Sequence, residues 1–244
     1  MLLNEKSKIE ELEGARQTHA SALYDQLRTD IVSCRILPGE KLQMERLKLS
    51  YGVGASPIRE ALNRLVSEGL VTQIDQRGFR AAPVEPAELE DVTRARCWIG
   101  AAAFAESIRS GDTEWEERIL LSFHRWEREL KNSSGNAAEF TPRIHKLHGD
   151  FHRALLSACG SSWMLNFWDA AFDFSQRYQV ISLRQGIKSE RNPAIEHRGL
   201  MEAALDRDLE RALDLHEKHL RLTAELVHRI TKSAALDGQA DGAD

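Results

Sequence analysis

Six of the nine histidines of this 244-residue chain fall between positions 145 and 219. His148 and His152 stand four apart and share a face wherever that segment is helical. His145 precedes His148 by three residues, close to the same face, and His216 and His219 are also three apart. His197 lies between the two groups. Imidazoles paired at this spacing, joined by single histidines from other helices, can converge inside a helical bundle on a divalent ion such as Zn²⁺ or Ni²⁺. The same spacing also occurs on helices whose histidines face solvent or pack against neighbours. Spacing therefore leaves open which of these rings form a set. His124 and His228 read as surface or packing positions.

A second set suits DNA. The run Ser56-Pro57-Ile58-Arg59-Glu60-Ala61-Leu62-Asn63-Arg64-Leu65 carries an inward stripe of Ile58, Leu62 and Leu65. Ser56, Arg59 and Asn63 form a polar stripe on another face, and Arg64 adds a cation. A helix N-terminus offers free N–H groups to a phosphate. From the first turn, Arg59 can reach a guanine edge bidentately or a phosphate. Arg46 and Lys48 are placed to flank the DNA backbone. Arg77-Gly78 can approach a minor groove, because glycine lets the main chain come close. Taken singly, each of these residues is also an ordinary solvated surface group.

The elements that must position these side chains follow from periodicity and turn chemistry. Residues 19–36 repeat apolar residues at helical spacing through Leu23, Leu27, Ile31 and Val32. Leu37-Pro38-Gly39-Glu40 is a turn, residues 43–51 a short second helix, and Gly52-Val53-Gly54 a tight turn. Ser56 reads as the N-cap of the third helix, with Pro57 at its first position and Gly69 at its end. Two β-prone runs, Leu70 to Ile74 and Phe79 to Val84, flank Asp75-Gln76-Arg77-Gly78 as a hairpin. Helix, short helix, tight turn, helix and hairpin is the order of a winged helix-turn-helix, whose third helix enters a major groove.

The remainder reads as all-helical, over 86–110, 112–131, 137–159, 161–188, 191–206 and 208–232. The predicted fold is mainly α: a winged helix-turn-helix over 15–84, then a bundle of about six helices over 86–232. A small, polar tail over 233–244 is expected to be disordered. Trp163 and Trp168 read as core.

Composition agrees with two modules. The net charge of −5 divides into −2 over residues 1–14, +3 over 15–84 and −6 over 85–244. A mildly basic block ahead of an acidic remainder points to different partners. All five tryptophans and eight of the nine histidines follow Pro86, and Pro83 and Pro86 mark a stiff connector. Three scattered cysteines exclude a disulfide framework or a thiolate metal site. No run reaches a membrane span and the N-terminus lacks a signal-peptide core, so a cytoplasmic protein with no membrane partner is expected.

Leu37-Pro38-Gly39-Glu40-Lys41-Leu42, Tyr51-Gly52-Val53-Gly54-Ala55-Ser56-Pro57-Ile58-Arg59-Glu60-Ala61-Leu62, Leu65 to Val71 and Gly78-Phe79 together resemble the GntR family of bacterial transcription regulators. The resemblance implies that Arg59 contacts the operator and that Gly78 approaches the minor groove. Ala55 departs from it, since several members carry an arginine there. Residues 86–232 are similar to the all-helical effector (FCD) domain of the family's FadR subgroup. Phe151-His152 matches its Phe-His pair, His197 its later histidine, and His219-Leu220 the histidine and leucine 22 residues on. The resemblance thus implies a metal set of His148, His152, His197 and His219, with His148 where the family has aspartate, as in CsiR-like members acting on glutarate and 2-hydroxyglutarate catabolism. It also implies that Arg96 clamps an effector carboxylate, with glycine at position 100 where glutamate is usual. Arg177 and Tyr178 are further candidates for lining the pocket.

The expected function is a dimeric, ligand-responsive repressor that binds a palindromic operator and takes a small carboxylate through a metal and Arg96. A helical-bundle metalloenzyme is the competing reading. It is disfavoured by the lack of Glu-x-x-His pairs on facing helices and of a general base beside His148 or His152. A third reading is a DNA-binding protein whose bundle only dimerises.

Overall fold

The computed structural model describes residues 20–74, 77–133, 141–184 and 192–240, and its contacts divide the chain between Val84 and Glu85. In the first unit, α1 (residues 20–32) buries Leu23, Leu27, Ile31 and Val32. It stops four residues before the end of its apolar period, because Cys34 turns left-handed (φ +52°) and the Ile36 N–H closes back on the Asp30 carbonyl at 3.0 Å. Next come β1 (Lys41–Leu42), α2 (Met44–Tyr51) and α3 (Ala55–Ser67). Strands β2 (Val71–Ile74) and β3 (Gly78–Ala81) follow.

Ile58, Ala61, Leu62 and Leu65 of α3 join the α1 residues, Leu47 and Val71 in one core. Gly52 caps α2 in the left-handed region (φ +65°), which is what lets the chain reverse so tightly into α3. Strand β3 is central in the antiparallel order β1-β3-β2, pairing Leu42 with Phe79 and Gln73 with Phe79. Two-residue β1 has no counterpart in the sequence reading, since a pair of residues carries no period. Two side-chain ties close the unit: the Tyr51 hydroxyl donates to Asp30 at 2.7 Å, and the Tyr24 hydroxyl to Glu68 at 2.5 Å.

The second unit holds α4 (Pro86–Ser110), α5 (Thr113–Asn132), α6 (Pro142–Leu156), α7 (Ser162–Arg184), α8 (Pro193–Leu205) and α9 (Leu209–Ala240). Three of them begin with proline in the first turn, where its missing N–H leaves no bond unmade. Asp112, Thr141 and Asn192 cap α5, α6 and α8 by accepting from the Trp115, Ile144 and Ile195 N–H groups. α4 runs between α9 and α7, α5 lies on α6, and α8 bridges α9 and α5. Their shared core is aromatic, built on Phe104, Trp115, Phe123, Trp126, Phe151, Trp168 and Phe172.

Two expectations change. α9 continues as helix to Ala240, through part of the expected tail, because Ser233-Ala234-Ala235-Leu236 favours helix; residues 241–244 lie outside the described residues. Trp163 is 73% exposed rather than core, because it faces outward on the first turn of α7 and packs on Phe167 one turn along, while Trp168 is buried.

Candidate functional site

On the first unit, α3 presents Ser56, Arg59, Asn63 and Arg64 to solvent while its apolar stripe is buried. The helix begins two residues earlier than expected: Gly54 is the N-cap, with no side-chain bond, and Ser56 lies inside the first turn. Pro57 is compatible with any first-turn position, since none of those N–H groups has an intrahelical partner. The end of α3 thus keeps main-chain N–H groups without a side-chain cap. Arg64 does not project freely; its guanidinium stacks over the Tyr24 ring at 3.8 Å. On α2, Arg46 reaches Glu40 at 3.4 Å and Lys48 reaches Glu45 at 2.8 Å. Both are exposed pairs, which hold their side chains only weakly. Arg77 is exposed, and Gly78 has φ +87°, a geometry glycine adopts without strain. Asp75 and Gln76 lie outside the described residues.

In the second unit four imidazoles meet. α6 brings His148 and His152, α8 brings His197 and α9 brings His219, with one nitrogen of each inside a 4.8 Å span. The Nε2 atoms of His148 and His197 are 2.6 Å apart, and that of His152 is 3.0 and 3.1 Å from theirs. Outer partners set the protons. His197 Nδ1 lies 2.6 Å from the Pro193 carbonyl, and His219 Nδ1 lies 2.8 Å from a Glu196 carboxylate oxygen. Both oxygens only accept, so both Nδ1 atoms carry hydrogen, and in the neutral ring the Nε2 atom of each carries the lone pair. Lone pairs this close repel unless a cation or a proton lies between them.

Burial, then the other imidazoles and Arg96, hold His148 and His152 well below the ordinary histidine range, so their rings are neutral donors. Trp126, Phe151 and Phe172 pack around the set. The chemistry of this donor set fits a divalent ion of zinc or nickel type. Of the two open candidates, His145 is buried elsewhere on α6, and His216 faces Phe104 and Trp168.

Beside the cluster, Arg96 of α4 is 3% exposed and lies over the Trp168 and Phe172 rings, at 4.8 and 5.3 Å. One terminal nitrogen donates to Ser175 Oγ at 2.8 Å; among the described residues no carboxylate pairs with this guanidinium. Burial lowers it to about 10, which leaves it charged at neutral pH. A buried cation without a counter-ion calls for an anion.

Arg177 is fully buried, with its guanidinium over the Phe174 ring at 4.2 Å. The Tyr178 hydroxyl is committed to Glu85, accepting from its N–H and donating to its carbonyl, each at 3.0 Å. Spacing missed Ser175, Pro193 and Glu196. None belongs to a periodic set, and only the adjacency of Glu196 to His197 hinted at a role.

A winged helix-turn-helix joined to a separate helical unit with a buried imidazole cluster and an uncompensated arginine is the build of a DNA-binding regulator with a sensing domain. Comparison with known proteins agrees: the model for bacterial regulatory proteins of the gntR family matches residues 19–80, and that for the FCD domain matches residues 91–222. The chain belongs to the GntR family and is a transcription regulator with an FCD effector domain.

It is 32% identical over 208 residues to the HTH-type transcriptional regulator BphR of Paraburkholderia xenovorans, covering 85% of this chain and 84% of that one. It is 35% identical over 201 residues to the HTH-type transcriptional repressor GlaR of Escherichia coli, covering 81% and 90%. The solved structure of E. coli McbR/YncC shares the fold with a TM-score of 0.74, at 15% identity, over 86% of this chain and 97% of that one. BphR and GlaR are named as transcriptional regulators, not as enzymes. Among the described residues no helix is long and apolar enough to cross a membrane.

Proposed function

We propose that the chain is a cytoplasmic, homodimeric repressor that binds a palindromic operator and is released by a small carboxylate. In this reading α3 lies in the major groove with Arg59 on a base edge and Ser56 and Asn63 beside it. Arg46 and Lys48 hold the phosphates, Arg77 and Gly78 meet the minor groove, and Arg64 joins them only by leaving Tyr24. His148, His152, His197 and His219 would hold one divalent ion, Zn²⁺ or Ni²⁺. When bound, the ion supplies a Lewis-acidic position for a carboxylate oxygen. Arg96, oriented by Ser175, takes the negative charge of the effector.

A dicarboxylate is the favoured class, as the likeness to CsiR-like members also suggests, because four neutral imidazoles leave the full charge of the ion unopposed. The observation that carries the reading is the uncompensated Arg96 sharing Trp168 and Phe172 with the imidazole cluster. Arg177 and Tyr178 are given no ligand contact, Tyr178 being held at Glu85. The repressor sense is supported by the relative GlaR, itself named a repressor.

The test is to select the operator from a random duplex pool and to measure affinity by fluorescence anisotropy. Arg59→Ala is expected to lose about 1–3 kcal/mol on the selected site and little on non-specific DNA. Unchanged affinity and sequence preference in that variant would sink the assignment of α3.

A further inference from the structure

Position 100 of α4 has no side chain, and the space beside it is filled. A Cβ built there would stand 2.4 Å from His216 Cε1, 2.6 Å from His216 Nε2 and 2.7 Å from Trp168. Glycine is therefore what admits the His216 ring between α4 and α9. That ring is 1% exposed, and neither of its nitrogens has a hydrogen-bond partner. Its rim is aromatic, with Trp168 at 5.5 Å and Phe104 at 5.9 Å between centroids. Trp168 is also the ring under Arg96, so His216 and the guanidinium share one wall.

Arg96 Nε and both nitrogens of His216 are unpartnered, and so are both amide atoms of Gln176, which is 1% exposed and adjoins Ser175 on α7. Each buried polar atom left unmatched costs free energy, so a group of them on facing elements marks where a polar ligand completes the structure.

We propose that Gly100 and His216 form one specificity device, in which His216 hydrogen-bonds the second carboxylate of a dicarboxylate whose charge Arg96 compensates. The proposal rests on the carboxylate reading above and adds to it which residue distinguishes two carboxylates from one. Burial and the nearby Arg96 lower His216 to about 3, so it meets the ligand as a neutral ring with one N–H to donate. A neutral ring adds no charge of its own and leaves Arg96 uncancelled. An acid projecting from position 100 would do the opposite, pairing with Arg96 and repelling a second carboxylate. A monocarboxylate has no second group to bring to His216, and leaves that ring desolvated and unmatched.

The experiment uses full-length protein loaded with Zn²⁺ and calorimetric titration with straight-chain dicarboxylates from malonate to adipate. The matching monocarboxylates of equal carbon number are run beside them. Wild type is expected to prefer one of the dicarboxylates by tenfold or more. His216→Leu is expected to cut that preference by tenfold or more, as loss of a hydrogen bond to a charged group does. His216→Gln should keep it within about threefold, since the amide restores a donor. Gly100→Ala should reproduce the leucine variant although His216 is still present, because its Cβ displaces the ring. Zn²⁺ affinity should not move in any of them, since His216 is not in the ligand set.

A preference unchanged in both His216→Leu and Gly100→Ala overturns the proposal and leaves the carboxylate reading intact. An equal loss for mono- and dicarboxylates also overturns it, making His216 a packing residue. Failure of wild type to bind any of these acids overturns the carboxylate reading itself.

Discussion

Replacing Glu196 by alanine tests the imidazole cluster from its outer side, without removing a ring. The Glu196 carboxylate lies 2.8 Å from His219 Nδ1 and anchors that nitrogen. Loss of the carboxylate frees the ring to rotate and to exchange which nitrogen carries hydrogen. It also leaves His219 a poorer donor, since the negative charge behind Nδ1 no longer raises the basicity of Nε2. Outer-shell changes of this kind lower metal affinity by about 10- to 100-fold, or about 1.4–2.7 kcal/mol.

The assay is competition for Zn²⁺ against a chromogenic chelator, with metal-free wild type, Glu196→Ala, His219→Ala and the double variant. If Glu196 acts through His219, its removal adds nothing once the ring is gone, so the double variant should match His219→Ala within about 0.5 kcal/mol. Glu196→Gln should fall between, retaining an acceptor without the charge. Wild-type affinity in Glu196→Ala would refute the orienting role. A full and additive loss in the double variant would refute the route through His219.

His148→Asp tests the charge argument on the ring set itself: at matched Zn²⁺ occupancy, one carboxylate ligand reduces the inner-sphere charge from two to one, and calorimetry should show weaker dicarboxylate binding; equal or tighter binding refutes it. His145 makes a pH prediction. Burial lowers its ring to about 4 from an ordinary 6.5, so its neutral form is favoured by folding. That contribution is complete above 6.5 and is lost as pH falls from 6.5 toward 4, at about 1.4 kcal/mol per pH unit. In urea unfolding across that window, the stability of wild type relative to His145→Gln should decline at this slope, and parallel curves would refute it.

The reading helix was legible because its information is local. Ile58, Leu62 and Leu65 recur at helical spacing, and Gly52 and Gly69 bound the segment on either side. The start of α3 lies two residues before the expected one because a first-turn proline does not say which first-turn position it holds. Trp163 was misread for a related reason: at a helix end a large apolar residue fits either face of the period. Spacing pairs His148 with His152 but does not say which other rings complete the cluster. His152 and His197 are 45 residues apart, and only the likeness to a known domain joined them. Glu196, Ser175 and His216 were beyond both routes. Their roles depend on what stands across from them in space, such as the missing side chain at Gly100, and no period records that.

The first turn of α8 contributes more to the cluster than a single ring. Pro193 provides the carbonyl that fixes His197, Glu196 provides the carboxylate that fixes His219, and His197 stands one turn beyond Pro193. Asn192 ties the turn at its start through the Ile195 N–H. These parts stand or fall together, so an opening of about four residues would take out one imidazole and the anchors of two. Such local openings are far more frequent than unfolding of a whole domain. The residence time of anything held by the four rings is then a property of helix fraying at Pro193, measurable as amide exchange in that turn.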